Sequence, residues 1–142
     1  KGGFSSWWLD SVGTIPVDRD GGQDVSAIKR VLKAIKEERG LILFPEGTRS
    51  VDGRMRAFKP GAFELAKRTR SPIVPIVLDG TSRALPKRGY LLQGKHPIHV
   101  RVLERIEPES FANLSAEELG ERVRARIAAE LPAEASPIAK SA

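Results

Sequence analysis

Residues 41–44 read Leu-Ile-Leu-Phe, an apolar run without polar alternation, preceded by Gly40 and closed by Pro45. Four residues are too few for a helix that buries every side, but they suit a strand covered on both faces. A chain with such a strand has to supply a layer for each face, which excludes a single open sheet. Other scaffolds drop out on composition. The 142 residues include no cysteine, so disulfide frameworks, thiolate metal sites and a cysteine nucleophile are all excluded. No apolar run approaches the ~20 residues that a membrane-crossing helix needs. Hydrophobic residues at 40% and charged residues at 30% make an ordinary globular mixture, long enough for one core.

The flanking sequence supplies the layers. Val12 to Val17 is β-branched and short, a strand ending at Asp18-Arg19, with a turn at Gly21-Gly22. Asp24 is a suitable N-cap for a helix over residues 25–38, in which Val25, Ile28, Val31, Leu32 and Ile35 recur at helical spacing. Lys29, Lys33 and Lys36 take another face, and Gly40 ends the helix. Pro60 fits the first turn of a helix carrying Phe63, Leu65 and Ala66. Ile73 to Leu78 reads as a second buried strand, and Pro75 places it at an edge or at a bulge. Over residues 98–106, Ile98, Val100, Val102 and Glu104 alternate with His99, Arg101 and Leu103. Ser115-Ala-Glu-Glu118 is a capping box, opening a helix with Leu119, Val123, Ile127 and Leu131 four apart and stopping before Pro132. The alternation predicts an α/β fold, a mixed, largely parallel sheet flanked by helices. One domain over residues 1–132 and a flexible tail over 133–142 are expected.

Charge is distributed unevenly. The chain has 24 Lys+Arg against 18 Asp+Glu, a net +6. Residues 49–70 hold seven basic and two acidic side chains, hence +5, and residues 79–105 six and two, hence +4. A basic middle calls for an anionic partner: a phosphorylated small molecule, a nucleic acid or an acidic membrane surface. Nucleic acid fits poorly, because aromatics are only 6% and no nucleic-acid motif is present.

The densest chemistry lies in Phe44-Pro45-Glu46-Gly47-Thr48-Arg49-Ser50. Open α/β sheets place ligands at such a loop, beyond the carboxyl end of a strand. Gly47 permits close backbone approach, Thr48 and Ser50 offer hydroxyls, and Arg49 presents a fork matching two phosphate oxygens. Glu46 is the lone acid among basic neighbours; it can accept from substrate hydroxyls or hold Arg49.

This stretch resembles the third signature block of the glycerol-phosphate/lysophosphatidate acyltransferase family, the 1-acylglycerol-3-phosphate O-acyltransferases. Three more stretches match in family order. Gly13 to Arg19 resembles the second block, Phe58-Lys59-Pro60-Gly61 the basic turn downstream of the third, and Val74-Pro75-Ile76-Val77 the fourth. The resemblance implies a glycerolipid acyltransferase-like fold. It also implies transfer of an acyl group from acyl-CoA or acyl-carrier protein to the hydroxyl of a lysophosphatidate-like acceptor. Arg19, Glu46, Gly47, Thr48 and Arg49 would form the acceptor pocket, with Lys59 as an added phosphate contact and Pro75 shaping a wall. No cofactor or metal is implied beyond the thioester co-substrate.

The family's first block, a His-x4-Asp pair whose histidine deprotonates the acceptor hydroxyl, has no counterpart here. His96 and His99 are the only histidines. His99 and Glu104 share the spacing, but residues five apart on a strand face opposite ways, so they make no base–orienter pair. Lys1-Gly2-Gly3-Phe4 lacks both an initiator Met and a hydrophobic leader. The chain is therefore expected to be the C-terminal portion of a longer enzyme, incomplete at its N-terminus and inactive alone. The alternative is a non-catalytic phosphate- or lipid-binding homologue. Work on lipid acceptors implies attachment to a membrane, expected at its cytoplasmic face. Lys29, Lys33 and Lys36, or Trp7-Trp8, are the residues available for that contact, though a solvated face explains the lysines more simply and an ordinary hydrophobic contact explains the tryptophans at least as simply.

Overall fold

The computed structural model describes residue 15 and residues 25–48, 54–84 and 95–132. The strand expected around Ile15, the Gly21-Gly22 turn, Asp24, Trp7-Trp8 and the 133–142 tail otherwise lie outside the described residues. The chain forms two compact units, Lys1–Ile42 and Leu43–Ala142.

In the first unit, α1 spans Val25–Lys36, as its periodicity requires. It ends before Gly40 because Glu38 adopts a left-handed φ of 55°. Lys29, Lys33 and Lys36 are exposed, and Lys33 meets Glu37 at 3.8 Å one turn on. The buried face differs from expectation: Ala27 and Ala34 are buried, while Ile28 and Leu32 are exposed.

Leu41–Phe44 also departs from its reading as a buried strand. The run is irregular, and Ile42 and Phe44 are 75% and 70% exposed. A strand exists through the ladder it shares with a neighbour, and among the described residues none lies beside this run.

The second unit carries the rest. Pro60, with helical φ and ψ of −66° and −24°, opens α2 over Gly61–Thr69, and its carbonyl accepts from the Phe63 and Glu64 amides at 2.9 Å each. α2 closes with Arg70 at φ 51°, its N–H donating to the Lys67 carbonyl, while Ser71 N–H reaches back to Ala66. That is a Schellman closure with arginine where glycine is usual.

β1, Ile76–Asp79, pairs antiparallel with β2, His99–Val102, in the register Ile76 to Val102 through Asp79 to His99. This two-stranded sheet is the one sheet among the described residues, and it is antiparallel where a largely parallel one was expected. Between the strands, Gly80 at φ 87° leads into a short helix, α3, at Thr81–Ala84. A Cβ on Gly80 would sit 2.2 Å from the Pro97 carbonyl oxygen, so no side chain fits there.

Pro75 acts as foreseen. Its carbonyl accepts from Leu103 N–H at 2.9 Å, but it has no N–H to return. Beyond it, Ile73 and Ile106 exchange both backbone hydrogen bonds, at 2.8 and 3.0 Å. Glu104 and Arg105 therefore oppose Val74 alone, which is a β-bulge. The bulge reverses the alternation: Val102 is 64% exposed, yet Ile106, four residues on, is 3% exposed.

A 3₁₀ turn at Pro108–Phe111 then leads to α4, Ala116–Ala128. The capping box is present in full. Ser115 Oγ accepts from Glu118 N–H at 3.1 Å, and the Glu118 carboxylate accepts from Ser115 N–H at 2.7 Å. The bond from Ser115 N–H, and after it the Ser115 side chain, hold the Glu118 carboxyl below its ordinary 4.5, with Lys67 adding a smaller pull. The core joins Phe63, Ile106, Phe111, Ala116, Leu119 and Val123, with Phe58, Ile73, Leu114 and Ile127 packed at its margin. α2 and α4 approach so closely that a Cβ on Gly120 would lie 3.1 Å from the Phe63 ring. No helix among the described residues is long and apolar enough to cross a membrane.

Candidate functional site

The polar loop begins as a turn. Gly47 N–H donates to the Phe44 carbonyl at 3.0 Å, with Pro45 and Glu46 between them. Pro45 presets φ for the first inner position, and Gly47 takes φ 71°, which a side chain would resist.

A second segment secures this turn. Phe58 stacks on Phe63 of α2, centroids 6.1 Å apart and planes 15° from parallel. With Phe58 anchored at the core margin, its neighbour Lys59 is turned toward the loop. Lys59 N–H donates to the Pro45 carbonyl at 2.8 Å, and the lysine side chain lies across Gly47. A Cβ added to Gly47 would come 3.0 Å from Lys59 Cε and 3.1 Å from Nζ. Glycine is thus needed twice, for the positive φ and for the lysine's passage.

Glu46 is held from the same segment. One carboxylate oxygen accepts from Arg56 N–H at 2.9 Å. Its other oxygen has no hydrogen bond to a described residue. Glu46 and Gly47 are partly buried, and Thr48, Arg54, Arg56 and Lys59 are exposed. The result is a carboxylate held by Arg56 N–H and a lysine side chain crossing the adjoining Gly47, both on an exposed basic segment. Such a pair can accept from a hydroxyl and attract an anion at once.

Of the residues expected at the site, Glu46, Gly47 and Lys59 come together, with Thr48 next in the chain. Arg19 and Arg49 lie outside the described residues. Pro75 is buried in the β1 ladder rather than on the loop. His99 pairs with Asp79 across the sheet, while Glu104 is engaged by Arg126 of α4 at 3.4 Å, so the x4-spaced pair stays apart. Sequence reading missed the tie from Arg56, because a backbone amide carries no residue signature. A cleft of about 290 Å³ lined by Lys67, Arg70, Pro108, Phe111 and Ala112 contains none of the expected residues.

A family model described as acyltransferase matches residues 1–79, more than half of the chain and including the whole Phe44–Thr48 loop and Lys59. The chain belongs to the acyltransferase family. This acyltransferase chain is 42% identical over 81 residues to a chloroplastic 1-acyl-sn-glycerol-3-phosphate acyltransferase of Brassica napus, covering 56% of the chain and 24% of that protein. It is 36% identical over 126 residues to the 1-acyl-sn-glycerol-3-phosphate acyltransferase of Saccharomyces cerevisiae, covering 85% of the chain and 41% of that protein. Its fold matches the crystal structure of the 1-acyl-sn-glycerophosphate acyltransferase of Thermotoga maritima. The TM-score there is 0.65 at 26% identity, over 87% of the chain and 48% of that protein. The acyltransferase chain thus spans from about a quarter to about a half of these relatives.

Proposed function

We propose that this chain supplies the acceptor-phosphate half of a lysophosphatidate acyltransferase site. The observation that carries the reading is the meeting of two family blocks at one point, where the Lys59 side chain crosses Gly47 while Glu46 is pinned beside it. The names of the relatives supply the substrate class.

In this reading a phosphate monoester, near −2 in charge, binds against Lys59, with Arg49 and Arg19 as the further cations such a charge calls for. Glu46 accepts from an acceptor hydroxyl through its free oxygen. The base is a histidine of a His-x4-Asp pair outside these 142 residues. As it takes the hydroxyl proton, the oxygen attacks the thioester carbonyl, the acyl–oxygen bond forms and the thiolate of CoA or carrier protein leaves. Thr48 and Pro75 complete the pocket. The antiparallel β1–β2 pair belongs, in this reading, to a mixed, otherwise largely parallel sheet. Attachment to the cytoplasmic face of a membrane, where the acceptor resides, is part of the same proposal.

The test is acceptor kinetics in the intact enzyme. Lys59→Ala and Arg49→Ala raise the acceptor KM, and Glu46→Gln, which weakens the hydroxyl acceptor, raises it as well as lowering turnover. Wild-type constants in all three variants would refute the pocket. Binding to random DNA rather than to glycerol 3-phosphate, weakening steeply with salt, would move the basic surface to another class of partner.

A further inference from the structure

We infer that Arg124 of α4 is a positioning residue for this site. Arg124 Nε donates to the Arg56 carbonyl at 3.2 Å, across 68 residues of sequence. Arg56 N–H in turn donates to Glu46 Oε2 at 2.9 Å. The residue whose amide fixes the site carboxylate is therefore held at its own carbonyl by a helix rooted in the core. The guanidinium is itself oriented, since Nη1 meets Glu121 Oε2 at 3.2 Å one turn back, and the side chain is only 16% exposed. An arginine performs both tasks because its fork offers donors in fixed directions.

The segment around Arg56 has no regular secondary structure to hold it. Met55 below and Phe58 beyond are anchored by packing. Arg56 lies between them, and the bond from Arg124 holds its carbonyl, which restrains the preceding peptide, whose N–H points to Glu46, through the φ and ψ of Arg56. Removing that bond lets the amide swing and the carboxylate follow. Lys59, tied separately to the Pro45 carbonyl, stays in place. The effect reaches the acceptor and leaves the acyl donor untouched.

This inference rests on the acceptor pocket proposed above, and the test separates the two. In the intact enzyme, Arg124→Met keeps the aliphatic stem and removes the donor. It should raise the acceptor KM about fivefold to tenfold, the equivalent of one hydrogen bond. The donor KM should stay within about twofold. Combined with Glu46→Gln, it should add nothing further, because both act through one carboxylate. Arg124→Lys, which keeps a donor but loses the fork, should recover part of the acceptor KM. Arg122→Ala, on the same helix as Arg124, loses a bond to the Ser110 carbonyl of the 3₁₀ turn and should leave both constants unchanged. Faster hydrogen exchange at the Arg56 amide in Arg124→Met is expected. An unchanged acceptor KM in Arg124→Met, full additivity with Glu46→Gln, or equal behaviour of the Met and Lys variants would overturn the inference. If Glu46→Gln and Lys59→Ala are themselves silent, the pocket reading fails instead.

Discussion

The α2–α4 core and the Phe44–Lys59 site lie in the same unit but are held by different forces. Phe63, Phe111, Leu119 and Val123 interlock through non-directional burial, so each is insured by several neighbours. The loop has no such insurance. Its shape rests on a few directed hydrogen bonds, at Gly47, Lys59 and Arg56, each worth on the order of 0.5–1.5 kcal/mol. A core of this kind tolerates loss by degrees, whereas the loop keeps or loses its geometry one bond at a time. The contrast implies that stability and the proposed acceptor recognition can be altered separately.

The sharpest attempt to break that separation is Phe111→Ala. It should lower unfolding free energy by about 3–5 kcal/mol in urea titrations, while folded enzyme at low temperature keeps its acceptor KM. Lys59→Ala is the converse. Acceptor binding should weaken by ~1.5–3 kcal/mol, the range for a charged hydrogen bond. Unfolding should stay within about 0.5 kcal/mol of wild type, as for other exposed positions. Equal damage by both measures in either variant would erase the distinction. Gly47→Ala should fall between them. Its positive φ costs about 1–2 kcal/mol with a side chain, and the new Cβ displaces Lys59, so both readouts move.

Two smaller effects sharpen the scaffold side. Ser115→Ala removes one half of the capping box and should cost about 1 kcal/mol, with no change in acceptor KM. Glu118 makes the other half sensitive to pH. Its folded carboxyl titrates below the ordinary value, so the unfolded chain binds more protons and stability rises with pH. The contribution is complete above pH 4.5 and disappears as pH falls through the lowered value. Acid unfolding curves of Glu118→Gln should lack that portion, and superimposable curves would show that the cap does not titrate.

What could be read from sequence divides along the same line. The helices around Ile28, Phe63 and Leu119, the capping box and the disturbance at Pro75 follow local rules, so a single strand of text carries them. The Phe44–Ser50 and Phe58–Gly61 blocks named Glu46, Gly47 and Lys59, and the fold brings those three together. The Leu41–Phe44 strand failed because a strand is a relation between segments, and an apolar run states only half of it. Arg124 was invisible for a similar reason. Its partner is a carbonyl far off in sequence, and carbonyls are common to every residue.

The bulge opposite Val74 also sets a rule for how this region can change. Between Val102 and Ile106 the chain is measured by length, not by chemistry. Glu104 and Arg105 face water and can be exchanged for many other residues, but an insertion or deletion there would resume the old alternation and turn Ile106 outward. Homologous sequences should therefore vary freely in composition at these two places while keeping the spacing across them constant.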